Sequence, residues 1–365
     1  MQDSDTSLDK AILAPGRKTK PVRVMVVDDS LTVRTIFSRM ISSDAAMTVS
    51  GKANNAEQAI ALLENIEVDV IVLDLEMPGM GGLEALPKIL EIAKNAQVLV
   101  VSSLTEDGAE HTLAALSMGA ADTMSKPRSG GFDDSYRTDL LSKISALGGA
   151  APQPAAAKHR KPAQQPLIRS KRPEVLAIGA STGGIHALNI MLRQLPQNFA
   201  LPILITQHLP ASFMPVFARQ IEVASARKTK VAAEGTLINR GEIIIASGDG
   251  HMEVVRRGER LETRLSQAPS RSGCLPSVDP MLESLSQACD GHVLAVILSG
   301  MGTDGLTGSQ SLVKNGGAVL AQDVATSAVW GMPGAVAKAG LTSAVLPPDK
   351  LADEVLKFAG ASAWK

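Results

Sequence analysis

Short aliphatic runs recur at regular intervals in the first part of the chain, and segments with a helical period separate them. The runs are rich in β-branched residues and predict strands at 22–27, 47–51, 68–73, 97–101 and 121–124. The intervening segments predict helices at 31–41, 56–64, 82–93 and 106–118. Because short strands that alternate with helices form βαβ units, the pattern predicts a parallel sheet with helices on both faces.

The same alternation begins again at residue 175. It predicts strands at 175–178, 201–206, 241–246, 293–298 and 318–321, and helices at 186–194, 215–225 and 281–289. The segment 252–266 is more polar and alternates with a period of two, which indicates a hairpin or an excursion at the sheet edge. The predicted fold class is therefore α/β, with two doubly wound parallel-sheet domains.

A segment rich in proline, alanine and glutamine separates the two patterned regions. We predict a flexible tail over 1–20, a first domain over 21–140, a linker over 141–173 and a second domain over 174–365. Proline-dense segments that lack a periodic apolar face act as solvated spacers. The linker is therefore expected to be semi-extended.

The composition narrows the class of protein. The 365 residues are 45% hydrophobic and 20% charged, with a net charge of −1, which is typical of a globular protein and gives no reason to expect nucleic-acid binding. Cys274 and Cys289 are too few for a secreted disulfide framework, so we expect two reduced thiols. The polar first twenty residues do not resemble a signal peptide, and no apolar run approaches the ~18 residues of a membrane span. We expect a cytoplasmic protein without direct membrane insertion.

Polar side chains follow several predicted strands of the first domain. Asp28 and Asp29 follow the first strand, Asp74 the third, Ser102 the fourth and Lys126 the fifth. The carboxyl ends of parallel strands meet at one edge, where three carboxylates repel each other unless a divalent cation lies between them. Any single aspartate is better explained as a helix cap, but the whole set favours a Mg²⁺ site at which the lysine can neutralise a phosphoryl group.

A glycine-rich turn follows the first strand of the second domain. Gly179, Ser181 and Gly183 fit the G-x-S-x-G nucleophile turn, although such a turn alone favours a nucleotide-phosphate site about equally. His208 and Asp304 each follow another strand and favour the hydrolase, because an activated serine needs a base and the base needs an orienting carboxylate. The chain order Ser, His, Asp differs from that of α/β-hydrolases and argues against an ordinary lipase or esterase.

The first domain resembles the response-regulator receiver family over about residues 22–140. The resemblance implies a flavodoxin-like fold in which a sensor histidine kinase phosphorylates Asp74, and in which Asp28, Asp29 and Asp74 hold Mg²⁺. Ser102 and Lys126 would then contact the phosphoryl group. The matching segments are Val-Asp-Asp-Ser (27–30), Asp-Leu-Glu-Met-Pro-Gly-Met-Gly-Gly (74–82), Val-Ser-Ser (101–103) and Ser-Lys-Pro (125–127).

The second domain resembles the catalytic domain of chemotaxis-type protein-glutamate methylesterases over about residues 174–360. The resemblance implies a Rossmann-like domain with Ser181 as nucleophile, His208 as base and Asp304 as its partner. Thr182 and Met301 would lie beside this triad, with the Met301 N–H as a candidate oxyanion donor. The matching segments are Ile-Gly-Ala-Ser-Thr-Gly-Gly (178–184), Thr-Gln-His-Leu-Pro (206–210), Pro-Ser-Val-Asp (276–279), Leu-Ser-Gly-Met-Gly-Thr-Asp-Gly (298–305) and Val-Trp-Gly-Met-Pro (329–333).

The second resemblance also implies a substrate and a form of control, and the chain departs from each of the two families at one position. Methylated chemoreceptors would be demethylated at γ-methyl glutamate esters, with glutamine deamidation as a related activity and no cofactor in the hydrolase site. The unphosphorylated receiver would cover the cleft. Thr123 replaces an aromatic residue of many receivers, so coupling through an aromatic ring is not expected. Leu275 replaces the family's usual arginine, for which Arg271 is a candidate substitute.

Two other classes of protein are disfavoured relative to the enzyme. A catalytically inactive binding module is disfavoured by the complete set of Ser181, His208 and Asp304. A DNA-binding response regulator is disfavoured because residues 174–360 contain no basic helix-turn-helix pattern and the net charge is close to zero. The sequence therefore predicts a phosphorylation-controlled serine hydrolase.

Overall fold

The computed structural model describes residues 20–103, 105–127, 131–149 and 171–360. The predicted tail, apart from Lys20, and residues 150–170 of the predicted linker lie outside these ranges. The described residues form two α/β domains, each built on a parallel sheet, which confirms the predicted fold class. Within these ranges, no helix combines the length and the apolar character that crossing a membrane requires.

The first domain contains a five-stranded parallel sheet in the order β2-β1-β3-β4-β5. Its strands are β1 (Val22–Val27), β2 (Met47–Ala53), β3 (Val70–Asp74), β4 (Gln97–Ser102) and β5 (Asp122–Ser125). Its helices are α1 (Leu31–Ser42), α2 (Ala56–Leu63), α3 (Gly82–Ile92), α4 (Glu106–Met118) and α5 (Asp134–Gly148). The strand order reverses at β1, so Asp28 and Asp74 lie at the crevice where ligands bind in open α/β sheets.

The first domain extends past its predicted boundary at residue 140. Helix α5 continues to Gly148, and Leu140, Ile144 and Leu147 are buried against the face of the sheet that carries Val24. The prediction that the linker begins at residue 141 is therefore wrong. The apolar spacing of three and four residues was present, but the alanine-rich and glycine-rich sequence that follows it masked the end of the helix.

The second domain contains a seven-stranded parallel sheet in the order β14-β13-β12-β6-β7-β9-β8. Its strands and the separate hairpin are β6 (Val175–Ala180), β7 (Ile203–Gln207), β8 (Thr229–Val231), β9 (Ile243–Ile245), β10 (His251–Arg257), β11 (Arg260–Ser266), β12 (Val293–Ile297), β13 (Ala318–Gln322) and β14 (Ala344–Leu346). Its helices are α6 (Gly184–Gln194), α7 (Met214–Ser225), α8 (Val278–Ala288), α9 (Leu306–Lys314), α10 (Met332–Lys338) and α11 (Pro348–Phe358). Strands β10 and β11 pair in antiparallel fashion, which confirms the predicted hairpin.

Strand β6 lies at the centre of this sheet and is buried along its whole length. Leu176 and Ile178 pack on the face that α6 and α11 cover, whereas Val175 and Ala177 pack on the face that α8 covers. A strand buried on both faces reads as a continuous apolar run rather than an alternating one. The rigid core thus fixes the carboxyl end of β6, where Ser181 follows.

Candidate active site and phosphorylation site

Ser181 lies in a tight turn between β6 and α6. Its backbone N–H donates to the carbonyl of Ser299 at 3.0 Å, which ties the turn to the segment after β12. Gly183 has φ of +75°, and a Cβ at this position would lie 2.5 Å from the Cβ of Ala328. Only glycine meets both requirements, so the sequence permits this turn and exposes the serine hydroxyl at the sheet edge.

His208 follows β7 and is held beside the turn, because its N–H donates to the carbonyl of Ala180 at 3.1 Å. Its Nδ1 lies 3.1 Å from Ser181 Oγ, and its Nε2 lies 2.8 Å from Asp304 Oδ2. The ionised carboxylate accepts only, so in the neutral imidazole Nε2 carries the hydrogen and Nδ1 presents a lone pair to the serine hydroxyl. The three predicted side chains therefore meet as a hydrogen-bonded chain.

The Asp304 carboxylate is buried but well supplied with donors. Ser277 Oγ donates to it at 2.7 Å, and the backbone N–H groups of Val278 and Gly305 donate at 2.7 and 3.0 Å. Burial alone raises the pKa of Asp304, but the hydrogen bond and charge of His208 together with these donors lower it to about 2. Asp304 is therefore ionised, as an orienting carboxylate must be.

The same contacts change the acidity of the base. Burial lowers the pKa of His208, but the hydrogen bond with Asp304 and the nearby Cys274 outweigh burial and raise this pKa to about 9. The pocket thus stabilises the imidazolium, which is the form that His208 takes once it has accepted a proton from serine.

Sequence reasoning missed two residues that support this site. Ser277 belongs to the segment 276–279 that resembles the methylesterase family, but nothing in the sequence indicates that its hydroxyl donates a hydrogen bond to Asp304. His251 is buried, with Nδ1 accepting from the Ser277 N–H at 3.0 Å and Nε2 lying 2.8 Å from the carbonyl of Ala268. It therefore positions the backbone of Ser277.

Thr182 and Met301 flank the triad in different ways. The Thr182 hydroxyl donates to Asp122 Oδ2 of the first domain at 2.6 Å. The Met301 side chain is 40% exposed, and in the described part of the chain its backbone N–H donates no hydrogen bond. Its role as an oxyanion donor stays a prediction. The role of Arg271 as a substitute for the family's arginine also stays a prediction. Arg271 is exposed and forms no ion pair with a described residue.

The carboxylates of Asp28, Asp29 and Asp74 converge at the edge of the first sheet, where one oxygen of each lies within 4.8 Å of the others. Lys126 Nζ lies 2.6 Å from Asp74 Oδ2 and 3.3 Å from Asp28 Oδ2. Asp28 is fully buried, yet its Oδ2 makes no hydrogen bond with the described residues. An under-coordinated buried carboxylate in an all-oxygen cluster fits Mg²⁺.

Burial and the neighbouring Asp28 raise the pKa of Asp74 to about 6 against the lowering effect of Lys126. One lysine therefore does not fully compensate the charge of this cluster, and a divalent cation would. The acidic site predicted from the sequence is thus assembled from the expected residues, and the phosphoryl acceptor role of Asp74 stays a prediction.

Ser102 lies at the end of β4 but does not contact Lys126 through its side chain. Its hydroxyl pairs with the hydroxyl of Thr112 on α4 at 2.5 Å, and both side chains are buried. The Lys126 N–H donates to the Ser102 carbonyl at 2.7 Å, so the two residues are neighbours through the backbone. The Ser102 hydroxyl would have to leave Thr112 in order to reach a phosphoryl group on Asp74.

The two domains meet at the nucleophile turn. The Gly183 N–H donates to the carbonyl of Ala121 at 2.5 Å, immediately before β5. Helix α4 docks on α6, where Ser117 Oγ accepts from Asn189 Nδ2 at 3.1 Å and the Ser117 carbonyl lies 3.0 Å from His186 Nδ1. This interdomain contact has no sequence signal, because nothing in the local pattern of either domain distinguishes His186 or Ser117.

A cavity of about 230 Å³ remains between the domains. Ser181 and His208 line it from the hydrolase side, and Asp122, Thr123 and Lys143 line it from the receiver side. Thr123 is the residue that replaces an aromatic ring in many receivers, and a small side chain there leaves this space open. The receiver thus covers the candidate nucleophile without filling the site.

Comparison with known families finds a match in each domain. A family model described as CheB methylesterase matches residues 176–355, and one described as response regulator receiver domain matches residues 24–131. A protein of Paramagnetospirillum magneticum (strain ATCC 700264 / AMB-1), named protein-glutamate methylesterase/protein-glutamine glutaminase 1, is 41% identical over 382 residues, covering 96% of this chain and 99% of that protein. A Rhodospirillum rubrum protein of the same name is 42% identical, covering 93% of this chain and 95% of that protein.

Proposed function

The chain belongs to the family of response-regulator protein-glutamate methylesterases/protein-glutamine glutaminases, and on this premise we propose that Ser181 hydrolyses γ-methyl glutamate esters of chemoreceptors. The observation that carries the assignment of the nucleophile is the chain of hydrogen bonds from Ser181 through His208 to Asp304. All three side chains follow parallel strands of one sheet, so the core holds their mutual geometry.

The reaction is acyl transfer in two steps. The Ser181 oxygen attacks the ester carbonyl carbon while His208 Nδ1 takes the hydroxyl proton, and Asp304 stabilises the resulting imidazolium. The imidazolium then protonates the departing methoxide. Methanol is released, and the acyl group remains bound to Ser181. His208 next activates a water molecule, which cleaves the acyl-serine to release glutamate. Glutamine deamidation follows the same steps with ammonia as the leaving group.

The oxyanion needs donors aimed at the carbonyl oxygen. The Met301 N–H has no acceptor among the described residues and belongs to the segment that follows β12, close to Asp304 in the chain. A free backbone donor at such a position stabilises the tetrahedral intermediate, and loss of one such donor costs about 10² to 10³ in kcat in serine hydrolases.

The receiver supplies control through Asp74. In this proposal Asp28, Asp29 and Asp74 hold Mg²⁺, which neutralises phosphoryl charge, while Asp74 takes the phosphoryl group from a sensor histidine kinase. Lys126 already contacts the acceptor carboxylate at 2.6 Å and would pair with the phosphate. With this kinase as phosphodonor and receptors as substrate, the proposal includes a cytoplasmic location for the enzyme.

Docking of the receiver over the nucleophile turn supports inhibition in the unphosphorylated state. Phosphate on Asp74 recruits the Ser102 hydroxyl, and this hydroxyl must leave Thr112 to respond. Thr112 is part of α4, whose carboxyl end contacts α6 through Ser117. A change at Ser102 therefore reaches the interdomain contact through a single helix, without an aromatic residue at position 123.

The test is methanol release from methylated chemoreceptor, measured with and without a small-molecule phosphodonor. The proposal expects release that the phosphodonor increases in the natural protein but not in Asp74→Asn, which still folds and keeps the basal rate. Absence of methanol release from a folded, phosphorylated protein would support the inactive binding module instead. Stimulation that persists in Asp74→Asn would place the phosphoryl acceptor at another residue.

A further inference from the structure

The side chain of Cys274 lies against the candidate catalytic pair, and neither the hydrolysis mechanism nor the receiver uses it. Ligand atoms of His208, Cys274 and Asp304 all lie within 4.8 Å of one another. Cys274 is half-buried in the loop between β11 and α8, and Asp304 is 1% exposed. A thiol, an imidazole and a carboxylate thus converge on one point at the mouth of the site.

The backbone around Cys274 holds the thiol in this position. Its carbonyl accepts from Ser270 Oγ at 2.9 Å, and its N–H donates to Ser272 Oγ at 3.3 Å. Three residues further on, Ser277 is anchored to Asp304 by its own hydroxyl. The loop is therefore fixed at both ends relative to the carboxylate, and the three donors are brought together by the fold.

We propose that His208, Cys274 and Asp304 form an inhibitory binding site for Zn²⁺. Zinc takes Cys sulfur, His nitrogen and carboxylate oxygen at about 2.0 to 2.3 Å, so the ligand atoms of a tetrahedral site lie about 3.3 to 3.7 Å apart. The observed separations bracket this range, with 2.8 Å between His208 Nε2 and Asp304 Oδ2 and at most 4.8 Å to the thiol. Small side-chain shifts close the site.

The ligand types select the metal. One sulfur, one nitrogen and one oxygen suit Zn²⁺ and do not suit Mg²⁺ or Ca²⁺, which take oxygen ligands. A thiolate and a carboxylate together balance the two charges of the ion, and the thiol proton passes to solvent. Three protein ligands leave a fourth position open for water, while the Ser181 hydroxyl stays on the other side of the imidazole, 3.1 Å from His208 Nδ1.

Binding of Zn²⁺ would stop hydrolysis by a simple exchange of partners. His208 Nε2 and the Asp304 carboxylate would become metal ligands, and the hydrogen on Nε2 would move to Nδ1. Nδ1 could then no longer accept the proton of Ser181. Inhibition would be reversible on chelation, because no covalent bond changes. This inference rests on the proposed hydrolase only for its activity readout, since metal binding is measurable by itself.

The matched variants are Cys274→Ala and Cys289→Ala in the full chain. Cys289 is also a free thiol, but it is buried directly after α8 in the hydrophobic core of the second domain. It belongs to no cluster of candidate metal ligands among the described residues. Both proteins are kept in excess Mg²⁺ to occupy the receiver site, and Zn²⁺ is buffered. At a free Zn²⁺ concentration that lowers natural activity tenfold, Cys289→Ala should lose activity equally and Cys274→Ala less than twofold, each measured relative to the rate of the same protein without Zn²⁺.

Co²⁺ titration supplies the independent readout. The natural protein and Cys289→Ala should show a thiolate-to-cobalt charge-transfer band that Cys274→Ala lacks. Equal inhibition of both variants, or inhibition without this band, would overturn the proposal. A Cys274-dependent band in a folded protein that releases no methanol would refute the proposed hydrolase and leave the metal site standing.

Discussion

At the scale of single residues, the site contains residues that take part in the reaction and residues that only position them. Ser181 is the group whose removal should abolish the reaction while changing the packing least, because the turn is fixed by backbone bonds and by Gly183. Ser181→Ala is expected to reduce the rate of methanol release by about 10⁶, as nucleophile removal does in a serine hydrolase. The free energy of unfolding should not change. A variant with a tenth of natural activity would show that another group is the nucleophile.

Ser277 should behave as a positioning residue. Its hydroxyl donates to Asp304 at 2.7 Å, but backbone donors hold the same carboxylate. Ser277→Ala is expected to lower kcat about tenfold, which corresponds to ~1.4 kcal/mol of transition-state stabilisation, and to leave KM unchanged. Ser286→Ala is the matched control, since this buried hydroxyl donates to the Ser311 carbonyl away from the site. Equal losses of kcat in both variants would reduce the role of Ser277 to general stability.

At the scale of elements, the edge of the second sheet depends on a charged cluster. Glu242 precedes β9 and pairs with Lys230 of β8 at 2.6 Å and with Lys228 at 3.3 Å. The hydrogen bond from Lys230, with further help from Asn239 and Lys228, lowers the pKa of Glu242 to about 2 despite partial burial. A depressed folded-state pKa stabilises the fold above the unfolded value and loses this contribution as the pH falls through the folded value.

Glu242→Gln should therefore lower the free energy of unfolding by about 1 kcal/mol at neutral pH. The difference from the natural protein should shrink as the pH falls from about 4.5 to about 2, because the unfolded chain binds the proton first and the folded protein only near its own lower pKa. Urea unfolding at neutral and acidic pH measures this. Glu259→Gln, in the exposed turn between β10 and β11, is the control and should have no effect at either pH. A difference that is constant with pH would exclude the ion-pair explanation.

At the scale of the whole molecule, activity and control depend on the contact between the receiver and the nucleophile turn. A fragment that lacks residues 1–150 should hydrolyse methylated receptor faster than the unphosphorylated full chain, because it has no cover over Ser181. In the full chain, Asp122→Ala removes the acceptor of the Thr182 hydroxyl and should raise the basal rate several-fold. Initial rates without phosphodonor decide this. If the folded fragment and Asp122→Ala are no faster, the receiver acts by recruiting substrate or by direct stimulation.

The route from phosphate to interface makes a separate prediction. Thr112→Val keeps the size of the side chain but removes the hydroxyl that holds Ser102. Phosphorylation of Asp74 should proceed normally, whereas the ratio of phosphorylated to unphosphorylated activity should fall toward one. Thr138→Val on α5 is the control, since its hydroxyl bonds only within the helix to the Asp134 carbonyl. An unchanged activation ratio in Thr112→Val would exclude α4 as the route.

The sequence predicted the site residues that follow the ends of parallel strands. It did not predict the contacts between the two domains. Ser181, His208 and Asp304 were predictable because parallel strands must present their carboxyl ends together, and the same holds for the acidic set around Asp74. The bond between Asp122 and Thr182 was not predictable, since it depends on which surfaces dock, and no local pattern encodes docking. The convergence of Cys274 on His208 likewise depends on the path of an irregular loop.

Strand β5 is four residues long, and its two ends serve different chemistry. Asp122 at its start contacts Thr182 beside the nucleophile, and Lys126 just after its end contacts the phosphoacceptor. At about 3.3 Å per residue, the two contacts are separated by roughly 13 Å of backbone. Suppose that a receiver without an aspartate at the start of this strand were joined to this hydrolase. It would keep the phosphorylation chemistry and lose the contact with Thr182. Phosphorylation and contact with the hydrolase are therefore separable properties of the receiver, although the two contacts lie at opposite ends of one four-residue strand.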